Sequence, residues 1–93
     1  MVIGLLSIEI FLPYSHSLKE KRKVLNALRD RFKKKYNIAF AELDFQDKWQ
    51  RSKIGIITLN SQKLFVDQVL QRILAEAEQN LEGEILQSEI CYF

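Results

Sequence analysis

Between Lys19 and Lys35 the chain carries nine lysines and arginines against only Glu20 and Asp30, a local net charge of +7. The rest of the 93 residues sums to −5, because five basic residues face ten acidic ones. Charge concentrated in this way attracts polyanions, and the chemistry open to it is the neutralisation of phosphates along RNA or a similar backbone. Lys19, Arg22, Lys23, Arg29, Lys33 and Lys34 are therefore the candidate RNA contacts. The plainer reading of the same residues is a solvated helix face.

Two smaller groups invite chemistry. Ser15, His16 and Ser17 precede the basic stretch, and with Lys21 and the first backbone N–H groups they could form one anion pocket, since helix starts favour phosphate. Against this, Lys21 falls between Leu18 and Leu25 on the apolar stripe, where its stem can cover the edge of the core while the ammonium reaches solvent. Trp49, between Lys48 and Arg51, has the makings of a base-stacking platform flanked by charge. A large aromatic at a hairpin end more commonly closes a core or an interface.

The elements that must position these groups are legible from periodicity. Val2 to Leu12 alternates as a strand, with Val2, Leu6, Ile8, Ile10 and Leu12 on one side, and Pro13 stops it. Ser17 and Glu20 read as a capping box that starts a helix near Leu18. Leu18, Leu25, Leu28 and Phe32 recur at three- and four-residue steps along that helix, which runs to about Lys35, with Asn37 able to take the strained C-terminal conformation. Ile38 to Asp47 alternates again, the segment 47–51 turns the chain, and Ser52 to Leu59 reads as a third strand covered on both faces. Asn60 and Ser61 supply a second helix cap, and Leu64, Val66, Val69, Leu70, Ile73, Leu74 and Ala77 form the apolar side of the helix that ends before Gly83. Glu84 to Phe93 is a last strand. This β-α-β-β-α-β order predicts an α+β, ferredoxin-like sandwich over residues 1–93 as one domain, with two helices on one face of a four-stranded antiparallel sheet and the first and third strands in the middle.

On the sheet face left open by the helices the alternation places Ser7 and Glu9, with Glu42, Asp44 and Glu89 nearby, beside Ile3, Leu5, Phe11, Phe40 and Phe93. Carboxylates there oppose RNA, so any RNA contact is expected through the helix. The mixture of apolar and acidic groups suits a homodimer contact, and with a merely solubilising basic helix the alternative is a dimeric scaffold or small-ligand regulatory module with no nucleic-acid role.

Several function classes are excluded or unsupported. A single His16 and a single Cys91 give no soft-ligand cluster for a metal and no internal disulfide, so no metal and no cofactor are expected. The carboxylates alternate along strands as solvated residues do, and Ser15 and Ser17 beside His16 lack a fixed acid and an oxyanion loop, so no enzyme is expected. Acylphosphatases share the topology, but their glycine-rich loop bearing arginine after the first strand is absent. No apolar run is long enough for a membrane span, and the basic start and cleavage site of a signal peptide are missing, which predicts a cytoplasmic protein.

The run Ser17-Leu18-Lys19-Glu20-Lys21-Arg22 with Leu25 and Leu28 resembles the signature of the YlxP-like family, small bacterial proteins catalogued as a domain of unknown function. Glu42 and Asp44, Asp47 and Trp49, Gly55 and the closing strand extend the likeness over nearly the whole chain. The resemblance implies a ferredoxin-like fold. Genes of that family often lie beside those for transcription-termination, translation-initiation and ribosome-maturation factors, which implies an RNA or ribosomal-subunit partner by association. It supplies no catalytic or binding residues to carry over.

Overall fold

The first strand, β1 (Val2–Phe11), lies inside the sheet with a neighbouring strand hydrogen-bonded along each edge, and its two faces differ sharply. Leu6, Ile8 and Ile10 are fully buried on one side, and Gly4 completes that side where α2 presses closest: a Cβ there would meet Val66 Cγ1 at 2.4 Å. The computed structural model describes all residues from Met1 to Phe93, in the order β1, α1 (Leu18–Lys35), β2 (Ala39–Asp44), β3 (Arg51–Asn60), α2 (Lys63–Asn80) and β4 (Glu84–Tyr92). The sheet is antiparallel throughout, in the order β2-β3-β1-β4. This is the expected ferredoxin-like α+β sandwich.

Both helices bury one stripe against the same side of the sheet, so β3 is covered on one face and not on both as its sequence suggested: Ile54 and Ile56 are buried, whereas Ile57 is 42% and Leu59 62% exposed. Leu25, Leu28 and Phe32 of α1 and Val66, Leu70, Ile73 and Ala77 of α2 join Leu6, Ile8, Ile10, Leu12, Ile54 and Ile56 in a single core cluster. As in most amphipathic helices of globular proteins, that burial contributes more to their stability than helix propensity does. Leu64, expected on the apolar side of α2, is instead 60% exposed, since it lies in the first turn beyond the reach of the sheet.

Helix ends follow local chemistry with two exceptions. The Ser17 hydroxyl accepts from the Glu20 N–H at 3.0 Å, and the Glu20 carboxylate accepts at 2.6 Å from the N–H of His16, one residue before the cap itself. Asn60 and Ser61 do not cap α2: the cap position is Gln62, without a side-chain bond, and Asn60 Oδ1 accepts from the Gln62 N–H just outside it. Nor does Asn37 turn left-handed. Tyr36 caps α1 in an extended conformation, and the one non-glycine residue with positive φ is Phe45, at 63°.

Two register shifts decide which side chains share a face. One lies between Glu42 and Asp44 on β2, the other opposite Glu9 and Ile10 on β4. The second turns Ile85 toward the core, against simple alternation, and leaves Leu86 exposed. On β2, Phe40 pairs with Ile56 and Glu42 with Ile54, so both face the helices and not the open side as the sequence suggested. The partner strand settles this: Ile54 and Ile56 are fully buried, and residues paired across a ladder point the same way.

Candidate nucleic-acid interface

The buried stripe of α1 fixes the opposite side of the helix toward solvent, and Lys19, Arg22, Lys23, Lys33 and Lys34 are all exposed there. None of these five has a carboxylate within ion-pairing distance. They fall in two clusters, Lys19-Arg22-Lys23 and Lys33-Lys34, separated on the outer face by Asn26 and Asp30. At about 1.5 Å rise per residue, Lys23 and Lys33 stand roughly 15 Å apart along the axis. Arg29 is only half-exposed and is engaged by its neighbour Asp30 at 3.1 Å, so it is less free than the sequence indicated. Lys35 is taken up by Glu76 of α2 at 2.9 Å, which ties the two helices together.

Sequence reasoning passed over Arg31. It has no ion-pair partner and borders a cavity of about 260 Å³ between α1 and the end of α2, with Val24, Asn80 and Glu82 among the other walls. Its separation from the outer-face positions hid it.

Lys21 does something different from all its neighbours. It is 1% exposed, and its ammonium donates to the Phe45 carbonyl at 2.8 Å and more weakly to those of Gln46 and Arg51, both at 3.4 Å, while lying 2.9 Å from Glu42 Oε2. The buried Ser52 hydroxyl donates to the same carboxylate oxygen at 2.6 Å. The ammonium neither reaches solvent nor joins Ser15, His16 and Ser17, so the expected anion pocket is not assembled. A buried ammonium must be paired and hydrogen-bonded to be tolerated, and the carbonyls and carboxylate that do this all belong to the β2–β3 hairpin. Around the helix start, Ser15 turns inward and donates to the Ser17 carbonyl, and the Glu20 carboxylate occupies the His16 N–H. An anion arriving there meets a carboxylate already in place.

What Lys21 holds is the hairpin that carries Trp49. The three carbonyls it binds bracket the turn, including that of the left-handed Phe45, and Gln50 Nε2 adds donations to the carbonyls of Pro13 at 3.1 Å and Ser15 at 3.3 Å. Trp49 is 55% exposed and does not close the core. It borders an open cleft of about 430 Å³ with Phe11, Phe45, Lys48, Gln50 and Arg51. Arg51 lies over the Phe45 ring, 4.5 Å from its centre, and pairs with Glu9 at 2.5 Å. The cleft is thus aromatic, with Lys48 free and Arg51 already engaged.

The carboxylates do not converge. Glu9 is bound to Arg51, Glu42 to Lys21 and Ser52, and no group of three or more His, Cys, Asp or Glu residues is placed to hold a metal ion. The Cys91 thiol is raised above its ordinary pKa by burial and by the adjacent Glu89 charge. The Tyr92 phenol is likewise raised, chiefly because it donates a hydrogen bond to Asp67, with burial and the Asp67 charge adding to the effect.

No helix is long and apolar enough to cross a membrane. Among solved structures, the de novo designed protein Ferredog-Diesel superposes with a TM-score of 0.51 at 15% identity, covering 94% of this chain and 83% of that one. A variant of SnoaB, a cofactor-independent oxygenase from Streptomyces nogalater, superposes with a TM-score of 0.53 at 14% identity, covering 99% of this chain and 90% of that one. At such identities the likeness extends to the fold alone. In sequence, the uncharacterized protein YlxP of Bacillus subtilis (strain 168) is 38% identical over 74 residues, 80% of each chain. The model of a family described as a protein of unknown function, DUF503, matches residues 3–90, and with the Ser17–Arg22 signature lying inside that span, the chain belongs to this family.

Proposed function

We propose that this chain is a non-enzymatic accessory factor of the cytoplasm that docks on structured RNA, such as a ribosomal subunit, through the outer face of α1. The observation carrying this reading is the set of five exposed cations, Lys19, Arg22, Lys23, Lys33 and Lys34, that no carboxylate of the chain neutralises. Cations kept unpaired along a rigid helix meet phosphates without first breaking an internal ion pair, and each contact releases a counterion. Lys21 sharpens the point, because the one lysine of α1 that the fold buries lies on the opposite stripe. Such binding positions the protein and does not read bases.

The test is binding of fluorescent RNA and of purified ribosomal subunits across a salt series. The reading requires affinity that falls steeply with salt and is weakened by Lys23→Ala with Lys33→Ala, while Glu89→Gln on the open sheet face leaves it unchanged. Undetectable binding at low salt overturns it.

A further inference from the structure

The side of the sheet away from the helices is uncovered, and its composition is graded along the strands. At one end Ile3, Leu5, Ile57, Leu59 and Phe93 share that face, with Leu59 62% and Phe93 72% exposed. In the middle, Gly55 lets Leu43 fold flat across the surface: a Cβ there would stand 2.7 Å from Leu43 Cδ1. At the other end Glu9 and Lys53 sit directly opposite each other in the β1–β3 ladder. Lys53 has no carboxylate partner within the chain, and neither does Glu89 have a cation.

We propose that this face seats a second copy of the same chain, packed sheet on sheet, with the two-fold axis running along the strands between β1 and β3. The size is adequate. Four strands at about 4.8 Å spacing and roughly nine residues at about 3.3 Å rise give a flat area on the order of 600 Å² per copy. With side-chain relief this approaches the ~800 Å² per partner of a stable interface.

The gradient selects the axis. A two-fold axis across the strands lays the apolar end of each copy on the charged end of the other, desolvating Glu9 and Lys53 against Leu59 and Phe93. An axis along the strands keeps every row in register: β1 lies over the partner's β3 and β4 over its β2. Leu5 then faces Ile57 and Ile3 faces Leu59, apolar on apolar. At the far end Lys53, unpaired in one copy, faces the Glu9–Arg51 pair of the other, where Arg51 engages Glu9 Oε2 and leaves Oε1 to accept from the lysine, so charge complementarity favours a second copy over an unrelated apolar partner. This arrangement is self-complementary, as a two-fold interface must be. Aligned sheets of this kind cross at about −30°. Both α1 helices remain on the outside, with their cations in solvent.

Three measurements test this on the full chain. Sedimentation of the wild type at high micromolar concentration is expected to give twice the 11.0 kDa protomer mass. Ile57→Glu, at a position already exposed, is expected to give a monomer with an unchanged circular dichroism spectrum. Ala39→Cys is expected to cross-link to Cys91 of the second copy through a short bismaleimide, because Ala39 and Cys91 both lie in the row of Ile57 and Leu5, on opposite edge strands that this axis superposes. A monomeric wild type, a dimer that survives Ile57→Glu, or a dimer without that cross-link overturns the proposal. So does a wild-type dimer that RNA dissociates, since the face would then belong to the nucleic acid.

Discussion

The ammonium of Lys21 and the carboxylate of Glu42, 2.9 Å apart, join the first turn of α1 to β2 beneath the basic surface. Ser52 and the carbonyls of Phe45, Gln46 and Arg51 complete the shell around this pair. The helix proposed to meet RNA and the hairpin bearing Trp49 are therefore fixed to one another by a single lysine.

Breaking this pair from either side leaves a buried charge without its partner. Glu42→Gln and Lys21→Met are each expected to lower stability by about 3–5 kcal/mol. Lys21→Met combined with Glu42→Gln should cost less than the two single changes added together, because removing both charges removes the desolvation penalty as well. Urea midpoints of the two singles and the double measure this, and strict additivity would mean that the pair is not coupled.

Ser17→Ala removes the hydroxyl that accepts from the Glu20 N–H and should destabilise the domain by about 0.5–2 kcal/mol. Ser17→Asp should retain most of the stability, as aspartate caps equally well and suits the positive end of the helix dipole. An unchanged denaturation midpoint for the alanine variant would count against the capping role.

For RNA, each phosphate of a single-stranded site that is no longer neutralised reduces the slope of log affinity against log salt by about 0.7. Lys23→Ala with Lys33→Ala should therefore flatten it by about 1.4 while weakening different sequences alike. Glu42→Gln is unsuitable as the control for this experiment, since Glu42 lies under the helix and holds Lys21; Glu89→Gln is the appropriate one.

The Tyr92 phenol, raised above its ordinary value by its hydrogen bond to Asp67, should ionise late in an alkaline ultraviolet titration. Because the folded chain holds this proton more tightly than the unfolded chain, the associated stability is complete below the usual phenol range and falls as pH rises through the folded value. Asp67→Asn should bring the titration back toward that range and reduce the alkaline loss. A titration indifferent to the substitution would exclude Asp67 as the cause.

The elements whose signals are local were legible in the sequence. The capping of α1 depends on Ser17 and Glu20, three residues apart, and the stripe of Leu25, Leu28 and Phe32 depends only on helical period. Pro13 and the alternation of β1 fixed the first strand in the same way, and the order of elements then restricted the topology to very few arrangements. The exposed cations of α1 followed directly, because naming the buried stripe names the face opposite it.

What the tertiary structure alone decided were the facts that span the chain. A lysine on an apolar stripe was the one available signal of Lys21's role, but its partners lie 21 to 30 residues away on a strand and hairpin whose facing alternation leaves ambiguous. Glu42 and Phe40 turn inward because Ile54 and Ile56 do, and Ile85 turns inward because a register shift adds a residue to β4. Period-two alternation states which residues share a face but not which face is covered, and one extra residue reverses it. Pairing across strands resolves both, since a buried partner determines the side on which its neighbour must lie.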